Sequence, residues 1–214
     1  MKILYRSFTI LITCLSLTVN AQSNEINESD IKSLPDLTVY DLNGKRVQLR
    51  ELAKKKVLFI DNWFIPCLQC FMEMPMLHKL YAEYANNDKI CFITISRTDA
   101  RIIKKFIAKD SSLAKYVNAY HYFSNLDYFK LPVYFLAGCN AKLEIGGKMQ
   151  RATQPDNPLA CPDNVFNFSG YPTVLIFDKN GKLIFKQSGF DGNESANRTR
   201  IENIIGPAIT ARQL

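Results

Sequence analysis

Cys67 and Cys70, separated by Leu68 and Gln69, stand where the apolar run Val57-Leu58-Phe59-Ile60 gives way to an amphipathic helical pattern. Cysteines at that spacing can close a small disulfide ring and reopen it. A cysteine on the first turn of a helix meets unpaired backbone N–H groups and the positive end of the helix dipole, and both stabilise a thiolate. Cys67 has that position. Cys70 lies one turn deeper on the same face, placed to attack a mixed disulfide formed at Cys67. The pattern predicts a dithiol exchange site with Cys67 as nucleophile and Cys70 as resolving thiol.

The elements around the pair can be read from periodicity. Leu37–Tyr40 and Arg46–Leu49 read as short strands joined through Asn43-Gly44, a favoured hairpin turn. Val57 to Trp63 is the central strand. Cys67 to about Tyr84 is a helix with an apolar stripe through Phe71, Met74, Leu77, Tyr81 and Tyr84, and with Pro75 inside it. A strand over Ile90–Ser96 and a helix from about Asp99 to Lys109 follow. This alternation predicts an α/β fold with a partly parallel sheet covered by helices. Order returns over Gly170–Asp178, which Asn180-Gly181 turns into Lys182–Lys186 as a second hairpin, and a last helix runs from about Glu194 to Ile205, ending at Gly206-Pro207.

Residues 118–169 break the rhythm and read as an insertion with short elements of its own. Within it, Lys130 to Ala137 is an apolar run that fits either a strand or a packed loop. Cys139 and Cys161 bracket most of the remainder. A disulfide between them would remove loop-closure entropy worth about 3 kcal/mol. That pairing is expected, with free thiols as the alternative. Cys91, in the apolar strand Ile90–Ser96, reads as a small core residue, with a reactive thiol as the alternative.

The chain has 214 residues and a formal charge of +7. Residues 1–21 read as an export signal: Lys2 and Arg6 at the start, an apolar Phe8–Val19, and a small-residue cleavage site at Val19-Asn20-Ala21. A lipoprotein anchored at Cys14 fits less well, because Thr13 suits a lipobox poorly. Without that segment 25 basic residues face 20 acidic ones, a net charge of +5 spread along the chain. Lys54-Lys55-Lys56 is the only basic triplet and reads as a solvated turn, not a nucleic-acid patch. Residues 22–33 are expected to be a flexible tether, and 34–214 one domain containing the insertion. Of the histidines, His78 is expected on the exposed side of its helix, and His121 is assigned no chemistry. Asp61, inside the central strand, is costly to bury unpaired, and burial would raise its pKa.

These pieces resemble the thioredoxin superfamily, and within it the exported TlpA/ResA-type thiol–disulfide oxidoreductases. The likeness covers roughly residues 34–110 and 170–205. It rests on the leading hairpin, Trp63, Cys67-Leu68-Gln69-Cys70, Glu73-Met74-Pro75 and Tyr171-Pro172-Thr173. It implies a thioredoxin-like fold: a central mixed β-sheet flanked by helices, with an N-terminal β-hairpin and an inserted loop region. It also implies that the Tyr171–Pro172 bond is cis and presents the Tyr171 backbone to a substrate peptide, with an ordinary trans proline opening a strand as the alternative. Asp61 matches the buried acid behind the second cysteine and becomes a candidate proton acceptor for Cys70, with a structural carboxylate as the alternative. Glu73 is a second candidate acceptor, with a solvated helix glutamate as its alternative. Trp63 is grouped with Tyr171 and Pro172 on the substrate side, although packing behind the site suits it better. Pro66, where such proteins commonly carry an aromatic residue, and Leu68-Gln69, which contains neither proline nor a basic residue, depart from the family pattern.

The implied activity is disulfide exchange on exported proteins in the periplasm or cell envelope, as reductase or isomerase. Electrons would come from a membrane-bound donor. No cofactor, metal or nucleic acid is expected. A copper or zinc carrier using the same cysteines is the alternative, since soft thiolates suit both metals. No second C-x-x-C or paired histidine completes a zinc site, however. A peroxiredoxin fits poorly, because Pro66 adjoins Cys67 and no threonine lies in the stretch just before the pair. An adaptor whose inserted loop grips a partner is a further reading.

Overall fold

The computed structural model describes residues 30–65, 67–113, 129–139, 155 and 157–211. Thr38–Asp41 (β1) and Arg46–Gln48 (β2) form the first hairpin. In its turn Gly44 takes φ +81°, which costs glycine little, and Asp41 Oδ1 accepts the N–H groups of Asn43 and Lys45 at 2.8 and 2.9 Å. A single helical turn, Leu49–Leu52 (α1), follows at once. Val57–Trp63 (β3) is buried at every position, as expected of a central strand covered on both faces. Leu68–Tyr84 (α2), Ile90–Ser96 (β4) and Ala100–Ile107 (α3) come next. Asp99 caps α3 by accepting the Arg101 N–H at 2.8 Å. Val133–Leu136 (β5), Pro162–Val165 (α4), Thr173–Phe177 (β6), Leu183–Ser188 (β7) and Glu194–Thr210 (α5) complete the described elements.

The strands form one mixed sheet in the order β2-β1-β5-β4-β3-β6-β7. β3, β4 and β5 are parallel, and every other pairing is antiparallel. Alternation along β3 sends Val57, Phe59 and Trp63 into a core shared with α2, α3 and α5. Leu58 and Ile60 point the other way, into a core shared with α1, Cys139, Cys161 and Phe166. In the first layer Phe59 stacks on Phe92 at 4.1 Å between ring centroids. Burying each such ring stabilises the fold by about 2 kcal/mol. The architecture is the expected thioredoxin-like α/β fold.

Several boundaries differ from the sequence reading. β5 lies between β1 and β4, so the sheet itself claims part of the stretch assigned to the insertion. Its apolar run is long enough for a strand, but only a neighbour on each side makes it one. Residues 30–33 are not a free tether: Ser33 bridges to Lys182, Leu183 N donates to Lys32 O, and Asp30 is ion-paired with Lys186. α5 continues through Gly206 and Pro207 to Thr210, because Ile204, Ala208 and Ile209 keep packing on the core. His78 is half-buried against Phe129, with Nδ1 at 2.8 Å from Met74 O and Nε2 accepting from Lys130 N. Burial pushes its pKa down, so it is a satisfied structural imidazole and not an exposed one. Cys91 is a free, half-buried thiol whose pKa burial pushes up. The expected export signal at 1–21 with Cys14, most of the tether, Pro66, His121 and much of the insertion lie outside the described residues.

Candidate active site

The end of β3 and the start of α2 set the dithiol. Beyond Trp63 the chain is pinned to the end of β4. Trp63 O accepts from Arg97 N at 3.0 Å, and Ile65 N donates to Thr98 Oγ1 at 2.8 Å. Cys67 is the N-cap of α2, and its sulfur accepts the Cys70 N–H at 3.2 Å. The two cysteines are joined as a disulfide with Cα atoms 5.3 Å apart. Cys67 is 7% exposed and Cys70 1%, so the first is the more accessible residue. An N–H donor at the Cys67 sulfur and the positive helix end favour its thiolate once the bond is reduced.

Two carboxylates lie in the layer between β3 and α2. Asp61 is 1% exposed and Glu73 2% exposed, and one oxygen of each, Asp61 Oδ1 and Glu73 Oε2, has no hydrogen-bond partner. Burial pushes the Asp61 pKa up to about 8. Burial, and then the neighbouring Asp61 charge, raises that of Glu73 well above the ordinary carboxylate range. Glu73 is therefore not the solvated helix glutamate the sequence also allowed. Its charge is expensive in this layer, and its proton is correspondingly held. A carboxyl group whose pKa is near that of a thiol can trade a proton with it at little cost.

Trp63 is fully buried. Its Nε1 donates to Thr94 Oγ1 at 3.0 Å, and its ring packs on Phe71, Phe106 and Phe129. Trp63 therefore offers no surface to a substrate, contrary to its grouping with Tyr171 and Pro172: the indole is the aromatic backing of the site. The Tyr171–Pro172 bond is cis. Tyr171 is half-buried, with its ring edge-on to Phe64 at 5.0 Å between centroids. Pro172 O accepts from Gly189 N at 2.7 Å, and Asn62 Nδ2 donates to Thr173 O at 2.9 Å. Together these bonds hold the Pro172 segment between β3 and the end of β7.

The sequence reading missed the wall beyond Gly189. Gln69, Gln187, Ser188, Gly189, Phe190 and Arg200 line most of a cavity of about 340 Å³ beside the helix start. Gly189 has φ +81°, and its missing Cβ would lie 4.0 Å from Gln69 Oε1. Arg200 Nη1 donates to Gln187 Oε1 at 2.9 Å, and Gln187 is bonded in turn to the buried Asn197. No spacing rule joins β7 to the middle of α5, so only the fold could reveal this network. Cys139 and Cys161, on the other face of the sheet, form a second disulfide with Cα atoms 4.8 Å apart. Among the described residues, no group of three or more His, Cys, Asp and Glu side chains is gathered to hold a metal ion.

Comparison with known proteins adds a family and a fold. The profile of the family described as Redoxin matches residues 30–205. The chain is 27% identical over 116 residues to the thiol-disulfide oxidoreductase ResA of a Bacillus cereus strain, a match covering 52% of this chain and 66% of ResA. It is 32% identical over 81 residues to the thioredoxin-like protein YneN of Bacillus subtilis (strain 168), covering 38% and 46%. Each match thus spans less than two thirds of the relative's length. Among solved structures, a Chlorobium tepidum protein described as a thiol:disulfide interchange protein DsbE superposes with TM-score 0.54. It is 18% identical, and the match covers 84% of this chain and 97% of the other. The thioredoxin domain of a thiol-disulfide oxidoreductase from Bacteroides vulgatus gives 0.50 at 20% identity, covering 82% and 99%. These likenesses establish the fold.

Proposed function

The chain belongs to the redoxin family, and on that premise we propose that it is a thiol–disulfide oxidoreductase working through Cys67 and Cys70. The observation that carries the reading is the Cys67 sulfur at the N-cap of α2, bonded to Cys70 and holding the Cys70 N–H. In the reducing direction the Cys67 thiolate attacks one sulfur of a partner disulfide, forming a mixed disulfide and expelling the partner's other sulfur as a thiolate. Cys70, losing its proton to the ionised form of Asp61, then attacks the Cys67 sulfur. The Cys67–Cys70 bond closes, the second partner thiolate leaves, and two electrons have passed to the partner. The substrates are the thiols or disulfides of proteins. Leu68, beside Cys67, is one of two large apolar side chains exposed among the described residues, and it offers a partner an apolar contact.

The protein works outside the cytoplasm, in the periplasm or cell envelope, with residues 1–21 as its export signal. It acts there as reductase or isomerase, recharged by a membrane-bound donor. No helix among the described residues is long and apolar enough to cross a membrane. Tyr171 and Pro172 present the backbone on which a partner lies. The deciding measurement is the reduction potential of the Cys67–Cys70 couple: about −270 mV marks a reductant, whereas about −120 mV marks an oxidant and overturns the assigned direction. Trapping tests the chemistry. Cys70→Ser should accumulate a partner joined to Cys67, and traps formed only by Cys67→Ser would reverse the two roles.

A further inference from the structure

Tyr171 is tied to the second disulfide as well as to the active-site loop. Its hydroxyl donates to Asp163 Oδ1 at 2.9 Å, and Asp163 Oδ2 lies 3.6 Å from Arg97 Nη1. Asp163 is on α4, whose N-cap is Cys161, the residue bonded to Cys139. Arg97 closes the loop from the other side, since its carbonyl lies 3.8 Å from Cys139 Sγ and its N–H holds Trp63 O. Across the Tyr171 ring, Phe64 and Phe168 pack edge-on at 5.0 and 5.1 Å. Phe64 O accepts the Cys67 N–H at 3.1 Å. A continuous path of covalent, polar and ring contacts thus runs from the Cys139–Cys161 bridge through Asp163, Tyr171 and Phe64 to Cys67.

Tyr171 stays a hydrogen-bond donor through the working pH range, because burial and the Asp163 charge both raise its pKa. The bond is charge-assisted and half-sheltered from water, so it can hold the ring in one place. What it holds is the residue before Pro172, beside the loop that carries the attacking sulfur.

We infer that Asp163 is a positioning residue for partner docking: it fixes Tyr171 against Phe64, so that the Tyr171–Pro172 segment presents an ordered surface to a polypeptide, while the Cys139–Cys161 bridge fixes Asp163. This rests on the oxidoreductase reading above and extends it to residues outside the dithiol. A polypeptide disulfide must lie along that surface to reach Cys67. A small aromatic disulfide need only collide with the sulfur.

The test compares two probes on the full chain, insulin as the polypeptide disulfide and 5,5′-dithiobis(2-nitrobenzoate) as the small one. Asp163→Ala should raise KM for insulin roughly three- to tenfold with kcat little changed, and leave the small-probe rate within about twofold. Asp163→Asn, which keeps an acceptor but loses the charge, should fall between. Tyr171→Phe should reproduce the insulin effect by deleting one hydroxyl. Replacing Cys139 and Cys161 together by Ala should give the same selective loss, and adding Asp163→Ala to it should cost less than the product of the two effects. Melting curves and circular dichroism establish that each variant folds. If Asp163→Ala does not fold, the Asn and Tyr171→Phe variants decide. Equal losses on both probes, or no loss on insulin, overturn the inference. A wild-type protein inert toward both probes overturns the oxidoreductase reading itself.

Discussion

Cys67 and Cys70 close a ring at the start of α2, whereas Cys139 and Cys161 join positions 22 residues apart on the opposite face of the sheet. Both bridges involve the N-cap of a helix, Cys67 for α2 and Cys161 for α4. The Cys67 sulfur accepts a helix N–H, but that of Cys161 takes none. It faces a carbonyl oxygen instead, Asn157 O at 3.7 Å, as Cys139 Sγ faces Arg97 O at 3.8 Å. A thiolate is favoured by N–H donors and disfavoured by carbonyl oxygens in an apolar layer. The first bridge also has two buried carboxyl groups in its layer. The surroundings of the sulfur, more than its position on a helix, separate an exchanging pair from a staple.

The largest expected effect breaks the comparison at its centre. Cys67→Ser should reduce exchange with either probe by at least about a thousandfold, because no other cysteine among the described residues has both access and a stabilised thiolate. Replacing Cys139 and Cys161 together should leave small-probe exchange within about twofold. Stopped-flow rates with 5,5′-dithiobis(2-nitrobenzoate) measure both, and comparable losses would erase the distinction.

Stability should show the opposite order. Removing the Cys139–Cys161 bridge frees a long loop in the unfolded chain and should cost about 3 kcal/mol, against roughly half of that for the short Cys67–Cys70 ring. Denaturant titration of the two double-Ala variants tests this, and an equal loss would make the second bridge no staple.

Asp61 sharpens the comparison through pH. Its folded pKa of about 8 lies above that of the unfolded chain, so the folded state holds a proton the unfolded state has released. Stability should therefore be full below about pH 4, fall as pH rises toward 8, and level off beyond. Asp61→Asn should flatten that slope and stabilise the oxidised protein at pH 8, with almost no gain at pH 4. The same variant should slow release of a trapped partner from Cys67 more than it slows the first attack. An unchanged pH slope would show that Asp61 is not the strained group.

The smallest effect concerns the order of reduction. Mild dithiothreitol should open the Cys67–Cys70 bond before the Cys139–Cys161 bond, because Cys67 is the most exposed of the four cysteines. Peptide mapping after alkylation should find Cys67 and Cys70 labelled while Cys139 and Cys161 remain linked.

What could be read from the chain alone was local. The spacing of Cys67 and Cys70, the apolar run of β3, the periodicity of α2 and the turns at Asn43-Gly44 and Asn180-Gly181 all act within a few residues, where propensity and alternation are strong. They place the dithiol at a strand-to-helix junction before any tertiary contact is known. The family likeness then pointed to Asp61, Glu73, Tyr171 and Pro172. Long-range packing decided the rest. Whether Glu73 is solvated depends on what covers its face of α2, and there Asp61 of β3 lies near enough to act on its charge. Val133–Leu136 is a strand because β1 and β4 offer it ladders, and Trp63 is backing because Phe71, Phe106 and Phe129 enclose it. The path from Cys161 through Asp163 to Tyr171 joins residues that no periodicity links. Hydrogen bonds and ring contacts between distant segments exist only once the sheet has closed over its two cores, so only the tertiary structure could bring the second bridge to the edge of the first.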